Sequence, residues 1–226
     1  MERARGPGGL PLEFEFGGRD GPQPGPTVPP GGWPDGELRV PIGVSARHVH
    51  LSAEHLEALF GRGYRLRLRN WISQPGQFAA EETVSLIGPR GTLEGVRVVG
   101  PVRSVSQVEL SVGDARRLGI SAPVRMSGDV EGSPGVVLRG PRGEVTLRAG
   151  VVVPARHIHA HPEDVIYLGL EGKEVVRVRA GDSRAVIFEN VLIRVHPMFR
   201  FEMHIDTEEA NAAGITNGDW GKILID

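Results

Sequence analysis

Ser45-Ala46-Arg47-His48-Val49-His50 returns half a chain later as Pro154-Ala155-Arg156-His157-Ile158-His159, and the two phrases hold four of the eight histidines in 226 residues. Side chains of an extended strand alternate between its faces, so His48 and His50 share a face, as do His157 and His159. Two imidazoles side by side are half of a metal's first coordination shell. A lone His-x-His is often only a hydrogen-bonded surface pair. Recurrence with the preceding Ala-Arg retained instead marks a repeated structural unit.

Outward from these phrases the chain is a series of short runs in which β-branched residues alternate with arginine or other polar groups, separated by Gly and Pro. Such runs include 38–44, 64–72, 83–87, 93–99, 106–110, 135–138, 145–153, 175–179, 185–195, 199–205 and 221–225. Gly-Pro-Arg-Gly stands between runs at Gly88–Gly91 and again at Gly140–Gly143, which reads as a hairpin turn each time. Many short strands at this spacing predict a mainly β fold of two small β-barrel domains with short capping α-helices, internally repeated.

The helices share one form. Ser52 precedes a candidate at Ala53–Phe60 that stops at Gly61, and Ser111 precedes Val112–Leu118 before Gly119. Pro162 opens Glu163–Leu168 before Gly169, and Asp206 opens Thr207–Ala213 before Gly214. Ser111-x-x-Asp114 and Asp206-x-x-Glu209 are capping boxes. Two residues ahead of each start stands a potential ligand: His50, Glu109, His159 and His204. A ligand at a strand end, just before a capped helix, is held in direction by the strand and faces the helix terminus.

Composition narrows the chemistry. Cysteine is absent, which excludes disulfides, thiolate zinc sites and a cysteine nucleophile. Net charge is −2 and Lys173 and Lys222 are the only lysines, which argues against general nucleic-acid binding while leaving arginine clusters able to hold a small anion. There is neither a secretory signal nor an apolar run of membrane-spanning length. Residues 1–36, rich in Gly and Pro, read as a disordered leader or an expression remnant. Residues 37–155 read as the first barrel and 156–226 as the second, with strands open to exchange between them.

Any metal must then be held by histidine and carboxylate. His48, His50, Glu109, His157, His159 and His204 are too many ligands for one tetrahedral zinc and suit two three-ligand sites with open positions. Imidazole with a carboxylate suits zinc, with iron, nickel, cobalt and manganese also compatible by residue type. A rival reading takes His48-x-His50-x3-Glu54 and His157-x-His159-x3-Glu163 as cupin-like motifs with Glu54 and Glu163 as ligands. Both glutamates fall in the first turn of a predicted helix, where the helix dipole favours acids and turns them off the strand face. His55, inside a helix, is expected to be exposed; His161 is a candidate cap or outer hydrogen-bond donor; His196 precedes Pro197 at a strand end.

Longer strings resemble one family. They are 40–52, Gln77-Phe78-Ala79-Ala80-Glu81-Glu82-Thr83-Val84, Gly100-Pro101-Val102-Arg103, Gln107-Val108-Glu109-Leu110-Ser111, 155–159 and Glu202-Met203-His204-Ile205-Asp206-Thr207. Together they are similar to the PduL-type phosphate propanoyltransferases, the phosphotransacylases of bacterial microcompartments, over 40–225. The resemblance implies two β-barrels with a two-zinc site between them that interconverts acyl-CoA plus phosphate with acyl phosphate plus coenzyme A. Propanoyl-CoA is the expected donor, in propanediol utilization, with acetyl-CoA a second. By position it implies His48, His50 and Glu109 on one zinc and His157, His159 and His204 on the other. Arg103 is implied as the phosphate contact, and Ser45, Asn70, Arg97, Val99 and Asn211 as the coenzyme A pocket. Position 70 is often basic in relatives, and Asn70 departs from that. The resemblance further implies a homo-oligomer, a dimer or larger, in the bacterial cytoplasm and within a microcompartment lumen beside shell components. Residues 1–35 lack the amphipathic periodicity of a targeting helix.

With no cysteine and no Ser-His-Asp pattern, direct attack in a ternary complex is the simplest chemistry: phosphate, held by Arg103, attacks the thioester carbonyl and coenzyme A leaves as thiolate. Arg47 and Arg156 are further anion candidates, although an arginine on a barrel strand is more often solvated or ion-paired. A metal-dependent thioester hydrolase and a non-catalytic barrel holding structural metal are the alternatives.

Overall fold

The structure is a computed structural model that describes residues 21–225. Its elements run β1 (Arg39–Ser45), β2 (His48–His50), α1 (Ala53–Phe60), β3 (Leu68–Trp71), β4 (Phe78–Ile87), β5 (Thr92–Gly100), β6 (Gln107–Glu109), α2 (Val112–Leu118), β7 (Val124–Arg125), β8 (Val136–Arg139), β9 (Glu144–Leu147) and β10 (Val151–Pro154). There follow β11 (His157–Ala160), α3 (Pro162–Tyr167), β12 (Val175–Ala180), β13 (Val186–Val195), β14 (Glu202–Asp206), α4 (Thr207–Ala213) and β15 (Trp220–Leu224). The run at 145–153, one strand by its composition, is two, because the chain turns at Gly150 with φ of 131°.

The described chain divides into two compact units. Unit 1 takes 47–70 and 78–154, and unit 2 takes 21–46, 71–77 and 155–225. In unit 2 six strands close a barrel in the order β1-β14-β11-β13-β12-β15. In unit 1 the order is β7-β10-β6-β2-β5-β4-β8-β9, with β3 beside β4, and the sheet curls without closing. The two barrels expected from the sequence are thus one closed barrel and one curled sheet.

The internal repeat lies in the pairing. In unit 1 the run β10-β6-β2-β5-β4 has parallel, antiparallel, parallel and antiparallel neighbours; in unit 2 the run β1-β14-β11-β13-β12 has the same sequence of directions. In the first half of the chain, the strand just before the Arg-His-x-His phrase pairs in the other unit from the phrase itself, and the same holds in the second half. β1 joins β14 in unit 2, and β10 joins β6 in unit 1.

Each unit has its own apolar core. Val49, Leu51, Leu59, Val84, Leu86, Val98, Leu118 and Leu138 are among the buried residues of unit 1, and Val40, Ile42, Ile158, Val178, Val191 and Met203 among those of unit 2. Both Gly-Pro-Arg-Gly stretches are hairpin turns, closed by Gly88 N–H to Gly91 O and Gly140 N–H to Gly143 O, each at 2.9 Å. Each also seats a helix end: Arg90 N–H donates to Leu118 O at the end of α2, and Arg142 N–H to Leu59 O near the end of α1, both at 3.0 Å. A Cβ on Gly88 would stand 2.4 Å from Leu118 O and one on Gly140 2.5 Å from Leu59 O, so bare backbone is required at both turns.

The helices start as their caps dictate. Ser52 accepts from His55 N–H, Ser111 from Asp114 N–H, and Asp206 from Glu208 and Glu209 N–H. Of the two predicted capping boxes, that of Asp206 and Glu209 has both of its bonds, while at Ser111 the bond from Asp114 N–H is the one seen. His161 caps α3, accepting from Glu163 N–H through Nδ1.

Residues 1–20 of the stretch read as a disordered leader lie outside the described residues, while 21–36 pack on unit 2. Val28 is in its core at 3% exposure, and Trp33 meets Trp220 edge to face at 5.2 Å. The anchor is Asp164, which is fully buried: its Oδ1 accepts from Thr27 and Val28 N–H at 2.8 Å each and its Oδ2 from His161 N–H at 3.3 Å. The Gly/Pro composition could not show this, because the acceptor lies 136 residues away from Val28. Asp164→Ala would leave three backbone donors without their acceptor and should cost about 3 kcal/mol of unfolding free energy, with Asp164→Asn costing less. An unchanged denaturation midpoint in Asp164→Ala would remove this anchor.

Candidate metal centres

His48 and His50 leave β2 on one face, and antiparallel β6 brings Glu109 directly across from His48. In unit 2, His157 and His159 leave β11 and antiparallel β14 brings His204 directly across from His157. Within each triad the ligand atoms lie within 4.8 Å of one another. All six sequence-predicted ligands therefore fall into the two expected groups, each inside one unit.

The donor atoms suit a metal. His50 Nδ1 lies 3.0 Å from Val99 O and His157 Nδ1 lies 2.8 Å from Ala155 O. A carbonyl only accepts, so both rings carry their proton on Nδ1 and turn the Nε2 lone pair outward. Burial above all, then the charges of Arg103 and His48, holds the His50 imidazole well below its ordinary value, against the pull of the Val99 carbonyl. That keeps it in the neutral form that ligates. Glu109 is buried, with Oε2 at 3.5 Å from His48 Nε2 and Oε1 at 4.0 Å from His50 Nε2. In unit 2, His159 stacks on Phe199 with centroids 4.0 Å apart, and Arg194 Nη1 stands 3.4 Å from its Nε2.

Glu54 and Glu163 belong to neither group. Both are exposed in the first turn of their helices, and Glu163 accepts from the Tyr167 hydroxyl. The cupin-like reading therefore has no carboxylate in place. His55, expected to be exposed, is partly buried and bonds through Nδ1 to Ser106 Oγ at 2.8 Å. His196 accepts from Met198 N–H.

The arginines of the repeated phrase have matching partners. Arg47 pairs with Asp114 and Arg156 with Glu209, both at 2.8 Å, and both acids are the third residue of the helix after the third-ligand strand. These ion pairs tie each phrase to its capped helix. Arg103 is placed by its backbone N–H, which donates to Leu51 O, and by a bridge to Ser52. Its Nη1 donates to Ser127 Oγ at 3.2 Å.

Of the residues the resemblance assigns to coenzyme A, Arg97 lies directly across from His48 on β5 and donates to Ala80 and Glu81 carbonyls. Val99 supplies the carbonyl for His50, and Asn70 is exposed on β3. Ser45 ends β1 opposite Asp206, and Asn211 is exposed on α4.

Two residues beside the triads were not singled out from the sequence. Gln107 Nε2 donates to Glu109 Oε1 at 2.6 Å, and Glu202 Oε2 lies 3.2 Å from His204 Nε2. Each stands two residues before a third ligand, so the two-residue period of the strand was the signal that could have found them. Burial raises the Glu202 carboxyl above its ordinary range, opposed by hydrogen bonds from Ser73 and Gln74 and by the charge of Arg200.

Among the described residues no helix is long and apolar enough to cross a membrane. A model of the phosphate propanoyltransferase family matches residues 41–216. The phosphate propanoyltransferases of Thermotoga maritima and Salmonella typhimurium are each 54% identical to the chain, over 180 and 179 residues, covering 79% of it and 85% of their own length. That of Shewanella putrefaciens is 52% identical over 180 residues, with the same coverage. With a family match running from β1 to just past α4 and relatives at this identity, the chain belongs to the phosphate propanoyltransferase family.

Proposed function

We propose that the chain transfers an acyl group between coenzyme A and phosphate, with propanoyl the main group and acetyl a second, and with one zinc ion at each triad. One observation carries the reading: two ligand triads, built by the same strand arrangement, in a member of a family named for this transfer. His48, His50 and Glu109 would hold one zinc ion and His157, His159 and His204 the other, and the metal would supply Lewis acidity toward an oxygen that gains charge.

The chain's own residues do the rest. Arg103 presents a planar fork that binds two of the four phosphate oxygens at once and leaves another directed at the thioester. A phosphate oxygen attacks the carbonyl carbon, the new C–O bond forms, the C–S bond breaks and coenzyme A leaves as thiolate. The chain has no cysteine to form a thioester with the acyl group, and direct transfer needs no acyl-enzyme. Arg47 and Arg156, held in ion pairs, are left out of phosphate binding. Ser45, Asn70, Arg97, Val99 and Asn211 are assigned to coenzyme A. An oligomer working in a microcompartment lumen, on acyl groups from propanediol, completes the reading and rests on the resemblance of the motifs.

Release of free thiol from propanoyl-CoA should require phosphate and should yield one acyl phosphate per thiol. Thiol release at the same rate without phosphate would replace transfer by metal-dependent hydrolysis.

A further inference from the structure

The repeat that builds the two triads also places one more side chain beside each. Antiparallel pairing puts Gln107 directly across from His50, and in unit 2 puts Glu202 directly across from His159. Both occupy the same position of the repeat, two residues before the third ligand and on its face of the strand. They differ in chemistry, and so do the third ligands they touch.

In unit 1 the third ligand is the Glu109 carboxylate, which only accepts hydrogen bonds. Its neighbour is an amide whose orientation is fixed. Gly128 N–H donates to Gln107 Oε1 at 2.8 Å, and a backbone N–H cannot accept, so Nε2 must be the end facing Glu109 Oε1, at 2.6 Å. The same Nε2 donates to Ser127 Oγ at 3.0 Å, and Ser127 in turn accepts from Arg103. Gln107 is buried at 3% exposure, so these bonds form away from competing water.

In unit 2 the third ligand is the His204 imidazole, a ring in place of a carboxylate. Its neighbour is the Glu202 carboxyl, with Oε2 at 3.2 Å from His204 Nε2, close but without the alignment of a hydrogen bond. The carboxylate is held by the Ser73 hydroxyl and by Gln74 Nε2, and Gln74 is itself oriented by Arg200, whose backbone N–H donates to Gln74 Oε1. Space for the carboxyl comes from Gly43, directly across from His204 on β1: a Cβ there would stand 3.0 Å from Glu202 Cδ.

We propose that Gln107 and Glu202 are the paired positioning residues of the two metal triads, each matched to its ligand: a donor that steers the Glu109 carboxylate, and a carboxyl, itself fixed by Ser73 and Gln74, that stands against the His204 ring and holds its direction. Outer partners of this kind orient a ligand and raise its affinity for metal. The inference rests on the two-metal reading above and deepens it.

Cobalt(II) titration of the metal-stripped, full-length protein tests both and tells them apart, since cobalt reports its ligand set by its visible spectrum. The unsubstituted protein should take up two equivalents. Gln107→Met and Glu202→Met should each weaken one equivalent by about 10–100-fold against a competing chelator, with an altered visible band for that equivalent only. Glu202→Gln keeps the shape and an acceptor oxygen while removing the charge, and should recover part of the loss. Far-UV circular dichroism of the stripped variants, unchanged from the parent, separates positioning from folding; if either Met variant is unfolded, Glu202→Gln and Gln107→Leu carry the test. Two tight equivalents with parental spectra in the folded variants would overturn the positioning roles while leaving the two-metal reading intact. Fewer than two equivalents in the unsubstituted protein would overturn the two-metal reading and the inference with it.

Discussion

Glu109→Ala and His204→Ala should each lower turnover of propanoyl-CoA with phosphate by about 10³-fold or more, because on the two-metal proposal each removes one of the three ligands of its triad. Metal analysis should show the loss of one equivalent of zinc in either variant, and the double variant should bind neither tightly. The fold should survive. Glu109 bonds to Gln107, whose amide keeps Ser127 and Gly128 as partners, and the His204 ring lies off the apolar core that holds its strand neighbours Met203 and Ile205. Retained turnover in either variant, measured by thiol release, would sink the two-metal proposal.

Arg103→Ala should lower kcat/KM for phosphate by about 10²-fold, the usual size of losing a charged, preorganised donor to an oxyanion, while the KM for propanoyl-CoA changes little. Arg103→Lys should recover only part of that, since an ammonium keeps the charge and loses the two-toothed fork. The substitution acts locally because the backbone of Arg103 is tied to Leu51 and Ser52 independently of its side chain. Equal losses for phosphate and for propanoyl-CoA would move Arg103 from phosphate contact to general scaffold.

What the sequence made legible was the short-range chemistry. Ser52, Ser111 and Asp206 cap the helices they were read to cap, because a cap acts within three residues. The six candidate ligands, which the structure gathers into two groups able to hold a metal, could be chosen because the strand period pairs the histidines of each phrase and a third candidate stands at a fixed distance before a helix start. Gly88–Gly91 and Gly140–Gly143 were readable as turns for the same local reason. Long-range pairing was hidden. Nothing in Arg39–Ser45 shows that it lies beside Glu202–Asp206, and nothing around Thr27 and Val28 points to Asp164. The closure of one sheet and the opening of the other depend on such pairings. Gln107 and Glu202 were within reach of the strand period but looked like ordinary strand polar residues until the residue across from each was known.

The placement of β1 has a consequence for how the protein is made. Its barrel neighbours are β14 and β15, at residues 202–206 and 220–224, so β1 leaves the ribosome long before the strands it pairs with. At typical rates of synthesis the interval is on the order of ten seconds or more. All of unit 1 from residue 47 to 154 is synthesised in that time, with its own strands and core complete, while β1 still has open edges. The His157, His159 and His204 group therefore cannot assemble before β14 is made, whereas the His48, His50 and Glu109 group can form well before, so the two groups come together one after the other.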